Sequence, residues 1–473
     1  MPLARYLYPG DRLVSWLEEH LSHQRENGAL YDWIASGRSE AFVHDAPRCQ
    51  QVYRVGRIVL TADKNTTASD QESSAVHSAR QYVDITGDVA WLDKRLHGRS
   101  VLERLDAALG FLFRERFDER LGLVTSGFTA DWGDVSPVYP DQRAIYLDDA
   151  TPLVAGIYAN ALAFRAAREL AELLEARGAA GEAARWSNRA EALKASIQRR
   201  LWDERRGFFR IHVHSSGPRL SFDDSDIFAL GGNTHAVLAG VATPEQSARI
   251  FAVAEERRAA LGVPTIAGVL LPPYPTGFFR HPILTEAWTY QNGGQWDWWA
   301  GPFLIAEFRE GHARTARTHL AQILERVEAT GGLFEWSTRE GEGRGSPEYA
   351  GSAASLGAAI VEGLFGVSLR ADRLDIRARG CADSASIDLT EPETGSRVLY
   401  RCEEKPAEVA LGFETDGVAP GRLCVLLPEG GEAVALELDG AGVPFTIETV
   451  AHDAYACVDT TWGRQQLSVR LRG

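Results

Sequence analysis

The sequence is short of several things, and each shortage excludes something. Basic residues are outnumbered: 50 Lys and Arg stand against 65 Asp and Glu, a formal net charge of −15. Such a chain repels nucleic-acid phosphates and anionic membrane surfaces, so a neutral small-molecule partner is expected, with no nucleic acid and no membrane. No apolar run reaches the roughly 18 residues that a membrane-crossing helix needs. The opening MPLARYLYPGDRLVSW has no apolar stretch leading to a small-residue cleavage site. No secretory signal is read there, and a cytoplasmic location is expected. Cysteines number five, Cys49, Cys381, Cys402, Cys424 and Cys457, none spaced as CxxC or as a Cys/His ligand set. Neither zinc nor a redox pair is indicated. Four of them follow residue 380 and read as buried free thiols, with a pair of disulfides in a small β domain as the alternative. P-loop, Rossmann glycine turn, Gly-x-Ser-x-Gly elbow and complete calcium loop are all missing, so no cofactor and no metal are expected.

What is present is a long, ordinary-looking globular chain of 473 residues, 45% apolar and 24% charged. Residues 11–22 have the spacing of an amphipathic helix, and a less regular stretch runs to about residue 69. Helices are expected over 70–86, 99–117, 151–176, 181–201, 226–240, 243–260, 298–310, 312–329 and 350–365. The helix over 99–117 places Leu102, Leu105, Leu109 and Leu112 on one face. The stretch 350–365 is rich in small residues, suited to close packing. A β-hairpin is expected over 207–222. Helices that pair along the chain, with long loops recurring between them, are the pattern of an (α/α)6 barrel whose cleft lies among loops at one end. Composition changes after Gly366: LCVLLPEGGEAVALELDG and QQLSVRLRG alternate apolar and polar residues between turn signals. The expected division is a mainly α barrel domain over 1–368 and an antiparallel β-sandwich domain over 369–473.

The chemistry sits in the loops. Tryptophan is plentiful, with 12 residues, four of them within 288–299. Flat aromatic rings beside carboxylates suit a sugar cleft, because the C–H faces of a sugar ring stack on them. Hydrolysis of a glycosidic bond with inversion needs one carboxyl to protonate the leaving oxygen and another to activate water, about 6.5–9.5 Å apart. Three loops offer candidates. ADWGDVSP at 130–137 holds Asp131 and Asp134 around Trp132, where capping by Asp134 is the plainer alternative. LFEWSTREGEGRGSPEYAGSA at 333–353 holds Glu335 between Phe334 and Trp336, and Glu348 beside Tyr349. TEAWTYQNGGQWDWWAGPF at 285–303 offers Asn292, Gln295 and Asp297 as hydroxyl binders beside Trp296, or equally a helix cap among core tryptophans. His235 in SDIFALGGNTHAVLAG reads as a core or wall residue.

These motifs resemble those of a known group. GGQWDWWAGP at 293–302 resembles the GQQWDFPNGW signature of trehalases. EWSTREGEGRGSPEYAGSAAS at 335–355 resembles their EKYD…GGGGEY…GFGW segment, which puts the catalytic base on Glu335. DWGDVSP is similar to the ESGWD and ESGLDNSP motifs of trehalases and processing α-glucosidases, and to the GDWND motif of cellobiose and chitobiose phosphorylases. Both alignments put the acid on Asp134. The order of motifs across residues 60–370 resembles the six-hairpin glycosidase superfamily, closest to trehalases and to processing α-glucosidase or mannosylglycerate hydrolase-type enzymes. The trehalase signature PGGRFREFYYWDSYW is missing. In its place VLTADKNTTASDQESSAVHSARQYVDITGD carries a YVDITGDVAWL element like that after the first inner helix of such enzymes, with Asn65 and Asp70 as candidates to line the sugar subsite.

The resemblance implies an inverting hydrolase of a small α-glucoside or α-mannoside. Asp134 is the acid and Glu335 the base, with Glu348 the alternative. Trp132, Trp296, Trp336 and Tyr349 would be apolar walls that desolvate Asp134, while Gln295, Asp297 and Asp131 would bind hydroxyls. A phosphorylase using Arg339 and Arg344, an epimerase or lyase, and a non-catalytic sugar-binding module remain as alternatives.

Overall fold

The computed structural model describes residues 3–36, 50–55, 58–63, 67–381, 384–417 and 419–472. Asn65 and Cys49 lie outside them. Among the described residues, ten α-helices occupy the first part: α1 Gly10–Ser22, α2 Gln71–Thr86, α3 Val101–Glu115, α4 Ile157–Ala176, α5 Ala180–Arg200, α6 Leu230–Leu238, α7 Pro244–Ala260, α8 Asp297–Arg309, α9 Ala313–Thr330 and α10 Ala350–Ala358. A π-helical segment, Ala359–Leu364, continues α10. Every helix expected from the apolar spacing is observed.

Local chemistry sets the boundaries. Ser100 and Glu103 form a capping box at the start of α3, and Thr243 with Gln246 forms another at α7, followed by Pro244 at the first helical position. Burial differs from helix to helix. In α7 and α9 only a stripe is buried, Ser247, Ile250, Phe251 and Ala254 on the first and Ala313, Ala316, His319, Leu320 and Ile323 on the second. In α6 and α8 almost every position is buried, as suits helices covered on all sides. Helices α2, α4, α6, α8 and α10 touch one another in succession. The small residues of α10 permit its close approach to α8: a Cβ on Gly301 would lie 2.4 Å from the Ser355 carbonyl oxygen, and the Ser355 hydroxyl donates to the Trp298 carbonyl at 2.6 Å.

Two expectations need correction. The stretch before α2 contains a three-stranded antiparallel sheet, with Ile58–Asp63 between Trp33–Ser36 and Gln50–Val55. The segment 207–222 does not fold back on itself. Phe208–Phe209 pairs with Trp202–Asp203, and His212–Ser216 pairs with Leu153–Gly156. That second partner is remote in sequence, so short-range alternation could not reveal it.

From Val367 onward the described chain is built of strands and turns. Gly366 makes the turn with φ +65°, where a Cβ would meet the Arg377 carbonyl at 2.0 Å. A five-stranded sheet runs in the order Val367–Leu369, Leu374–Ala378, Gly421–Leu426, Asp453–Thr460, Thr446–Val450. Its second and third strands are parallel, and its other pairings are antiparallel. A six-stranded antiparallel sheet contains Ala385–Thr390, Arg397–Lys405, Glu408–Asp416, Arg464–Leu471, Ala433–Leu438 and Ala441–Gly442. Alternate residues of both sheets, among them Ile376, Leu423 and Val458 with Tyr400, Leu411 and Val469, share one apolar cluster. The thiol expectation is half wrong. Cys424 and Cys457, opposite each other on neighbouring strands, form a disulfide, while Cys381 and Cys402 are buried and free. Glu448 lies beside that disulfide, the one group of metal-ligand types brought together among the described residues; its two sulfurs are spent on each other. No described helix is long and apolar enough to cross a membrane.

Candidate active site

Three long loops converge. The first carries Asp131 and Asp134. Its backbone turns sharply: the Gly133 N–H donates to the Ala130 carbonyl at 3.0 Å, and Asp131 adopts φ 58°. That left-handed conformation is strained for a residue with a side chain. The turn sends the two carboxylates to different places. Asp131 points inward, where its Oδ2 accepts from the Gly232 N–H at 2.8 Å in the first turn of α6. A helix N-terminus favours an anion there, yet burial outweighs it and pushes the Asp131 carboxyl up to about 7. Glycine is required opposite: a Cβ on Gly231 or Gly232 would lie 2.8 Å or 2.7 Å from an Asp131 oxygen. Asp134 is exposed. Its carbonyl accepts from the Thr67 hydroxyl at 2.5 Å, and its Oδ1 accepts from Gln291 Nε2 at 3.2 Å. The walls therefore do not bury Asp134 as expected; the desolvated carboxyl of this motif is Asp131.

The second loop joins the other two. Trp288 and Tyr290 have φ 68° and 46°, two more strained residues. Asn292 ties the loop down, accepting from the Tyr274 N–H at 2.9 Å and donating to the Tyr274 and Leu284 carbonyls. Consecutive residues then hold the two candidate catalytic groups. Gln291 donates to Asp134, and the Tyr290 phenol stands near Glu335. The Tyr290 proton is held well above its usual range, by burial first and then by the charges of Asp134 and Glu335. Both carboxylates therefore lie within electrostatic reach of one phenol.

The third loop presents Glu335. Its N–H donates to the Ser346 carbonyl at 2.8 Å, and Gly345, at φ +70°, lies so close that a Cβ would come 2.4 Å from Glu335 Oε2. Tyr349, raised mainly by burial, also feels Glu335. Glu348 is exposed.

The remaining candidates divide. Trp132, Trp336 and Tyr349 are partly exposed. Trp296 is buried behind them, its ring 4.9 Å from Trp132 and 5.0 Å from Tyr290. Gln295 and Asp297 belong to the frame. Gln295 accepts from the Thr265 hydroxyl at 2.7 Å and donates to the Thr338 carbonyl at 2.7 Å, while its backbone exchanges two hydrogen bonds with Ser337. Asp297 is buried in an ion pair with Arg326. Their polar atoms are engaged by protein, so they brace the second loop against the third instead of facing a ligand. Asn292 is likewise structural. Asp70 does not cap α2 with its side chain; its Oδ2 accepts from the Tyr158 hydroxyl at 3.0 Å. The arginines proposed for an anion are occupied, Arg339 over the Trp288 ring at 5.0 Å and Arg344 with Glu342 at 2.5 Å.

Sequence reasoning passed over Tyr290, Gln291, Tyr158 and Trp299. Tyr290 and Gln291 stood inside a flagged loop, where the aromatic–amide pair was the available signal. Tyr158 and Trp299 sit within regular helices and give none.

No curated protein matches the sequence. Among solved structures, an α-L-rhamnosidase from Streptomyces avermitilis superposes with a TM-score of 0.58 at 14% identity, covering 97% of this chain and 36% of that one. An α-L-rhamnosidase from Dictyoglumus thermophilum gives 0.57 at 11% identity, covering 99% and 46%. The chain thus spans less than half the length of these rhamnosidases. A GH63 mannosylglycerate hydrolase from Thermus thermophilus gives 0.52 at 16% identity, covering 75% of this chain and 91% of that one. Residues 10–352 match the model of one family over most of the chain, and the chain accordingly belongs to the mannosylglycerate hydrolase MGH1-like glycoside hydrolase domain family.

Proposed function

We propose that the chain hydrolyses a small α-linked glycoside with inversion, on an (α/α)6 barrel over residues 1–368 that is followed by a β-sandwich over 369–473. What supports this most is the seating of Asp134 and Glu335 on consecutive residues, Gln291 and Tyr290. Asp134, exposed at the tip of its loop, gives its proton to the leaving oxygen. Glu335, beside the Tyr290 phenol, takes a proton from a water molecule. That water forms the new C–O bond on the opposite face of the anomeric carbon as the old bond breaks. Glu335 is preferred to Glu348 because Gly345 packs against it and Tyr290 stands near it, whereas Glu348 is exposed. Hydrolysis is preferred to phosphorolysis because Arg339 and Arg344 are already engaged. The panel of substrates to test holds a mannosylglycerate, after the name of the Thermus enzyme, the small α-glucosides and α-linked disaccharides that the motifs suggest, and an α-L-rhamnoside, after the rhamnosidases.

One observation favours a second assignment of the acid. Burial holds Asp131 at about 7, a range suited to donating a proton near neutrality. Activity of Asp134→Asn, Asp131→Asn and Glu335→Gln on that substrate panel, with and without phosphate, tests both. Losses on the order of 10²–10⁴-fold in Asp134→Asn and Glu335→Gln are expected. Full activity in Asp134→Asn with none in Asp131→Asn moves the acid to Asp131, and turnover that requires phosphate overturns hydrolysis.

A further inference from the structure

A cavity of about 710 Å³ opens where α9 begins, between that helix and the strands that follow Val367. It lies at the opposite end of α9 from the loop that carries Glu335: the helix has 18 residues, about 27 Å at the helical rise. Three arginines line it, Arg314, Arg317 and Arg379. Arg379 is only 4% exposed, yet no carboxylate pairs with it among the described residues. Its Nε donates to the Tyr455 hydroxyl at 3.1 Å and its Nη1 to the Gly363 carbonyl at 2.6 Å. Its Nη2 has no hydrogen-bond partner among the described residues. A buried guanidinium is ordinarily matched by an anion, because charge taken out of water is costly unless paired. Arg317, half-buried on α9, likewise has neither an ion pair nor a hydrogen bond among the described residues. The acids that share the cavity do not supply the partner. Asp453 is buried and accepts from the Ala313 N–H at 3.1 Å and the Tyr455 hydroxyl at 3.0 Å. Glu429 pairs with Arg314. Glu404 is exposed, where water and salt screen its charge.

We infer that this cavity binds a small phosphate monoester, whose phosphoryl oxygens Arg317 and Arg379 hold. The site stands apart from the glycosidic cleft and does not depend on what is cleaved there. Phosphoryl oxygens accept from guanidinium N–H groups in a geometry that the planar fork matches. A phosphate monoester carries about −1.5 to −2 charges at pH 7, which suits two unpaired guanidiniums; a carboxylate brings only one. His312 and His452, whose rings lie 5.0 Å apart, line the same cavity and offer ring N–H donors. The N-terminus of α9 adds a partial positive charge. Cavities of about 300–1,000 Å³ hold small organic ligands, so there is room for an organic body beside the phosphoryl group. Leu426, Leu427 and Pro428 supply an apolar wall for it.

Isothermal titration calorimetry of the full chain at pH 7 and low salt tests this, with phenyl phosphate and inorganic phosphate as probes and benzyl alcohol as the uncharged control. One saturable site for phenyl phosphate is expected, with weaker binding of inorganic phosphate and none of benzyl alcohol. Arg317→Gln should weaken the binding about tenfold or more, the loss of one charge-assisted hydrogen bond. Arg317 gives up no other partner, so this variant should keep the thermal midpoint of the unliganded natural protein and its turnover in phosphate-free buffer. Arg379→Met should weaken binding at least as much; should it fail to fold without its bonds to Tyr455 and Gly363, Arg317→Gln decides alone. No saturable binding of either anion overturns the inference, as does binding that Arg317→Gln leaves intact. Equal affinity for the two anions overturns the monoester and leaves a site for free phosphate. Anion binding that an α-glycoside displaces and Arg317→Gln spares puts the anion in the cleft, and overturns the cavity as its site.

Discussion

Asp131→Asn separates the burial of this carboxyl from everything else in the cleft. The group titrates near 7 in the folded protein because burial disfavours its charge, against an ordinary value close to 4. Below pH 4 both folded and unfolded chains hold the proton. Between 4 and 7 the unfolded chain ionises and the folded one does not, so rising pH favours unfolding. Above 7 both are ionised and the difference is constant. Each pH unit in that window is worth about 1.4 kcal/mol, so the full loss over about three units is on the order of 4 kcal/mol. Asparagine has nearly the same shape and no ionisation. Asp131→Asn should therefore gain on the natural protein steadily from pH 4 to 7, then hold its lead. Urea unfolding followed by tryptophan fluorescence at pH 4.5, 6 and 8 measures this directly. A stability difference that is flat across the window, or that shrinks as pH rises, refutes the burial argument. The same variant should bind sugar more weakly, since stability gained at a strained site is commonly function lost.

Other perturbations test other parts of the frame. Tyr290→Phe removes a phenol that lies near Glu335; a phenol that closes on this carboxylate in the substrate complex contributes about 1.5–3 kcal/mol there, so kcat should fall roughly 10- to 100-fold with the thermal midpoint little changed. Arg326→Met strands the buried Asp297 carboxylate and should cost about 3–5 kcal/mol in denaturant unfolding, most of it recovered by adding Asp297→Leu. Reduction of the Cys424–Cys457 disulfide, which spans 33 residues, should remove about 4 kcal/mol by loop-closure entropy; equal thermal midpoints with and without a reductant contradict that.

Much of the helical part was legible because its signals are local. Leu105, Leu109 and Leu112 follow the helical period and are all buried in α3, and Ser100 with Glu103 caps it. The catalytic loops announced themselves as glycine-, aspartate- and tryptophan-rich interruptions of that pattern. What escaped depends on direction and distance. Gln295 and Asp297 have the right chemistry for hydroxyls, but only the fold reveals that Thr265, Thr338 and Arg326 already occupy them. Asp131 and Asp134 sit three residues apart in one motif, yet in the fold Asp131 turns inward to the Gly232 N–H while Asp134 is exposed. Tyr158 reaches Asp70 across 88 positions of sequence, a pairing no short window contains. Cys424 and Cys457 meet only once their strands are in register.

The central claim is that Asp134 and Glu335 act on opposite faces of one glycosidic bond. Proton NMR of the first-formed product from an α-glycoside of the panel tests it most directly, because the anomeric signal is read before mutarotation. Direct attack by a Glu335-activated water predicts the β-anomer as the initial product, with its formation abolished in Glu335→Gln. Initial release of the α-anomer, or an undiminished rate in Glu335→Gln, contradicts it.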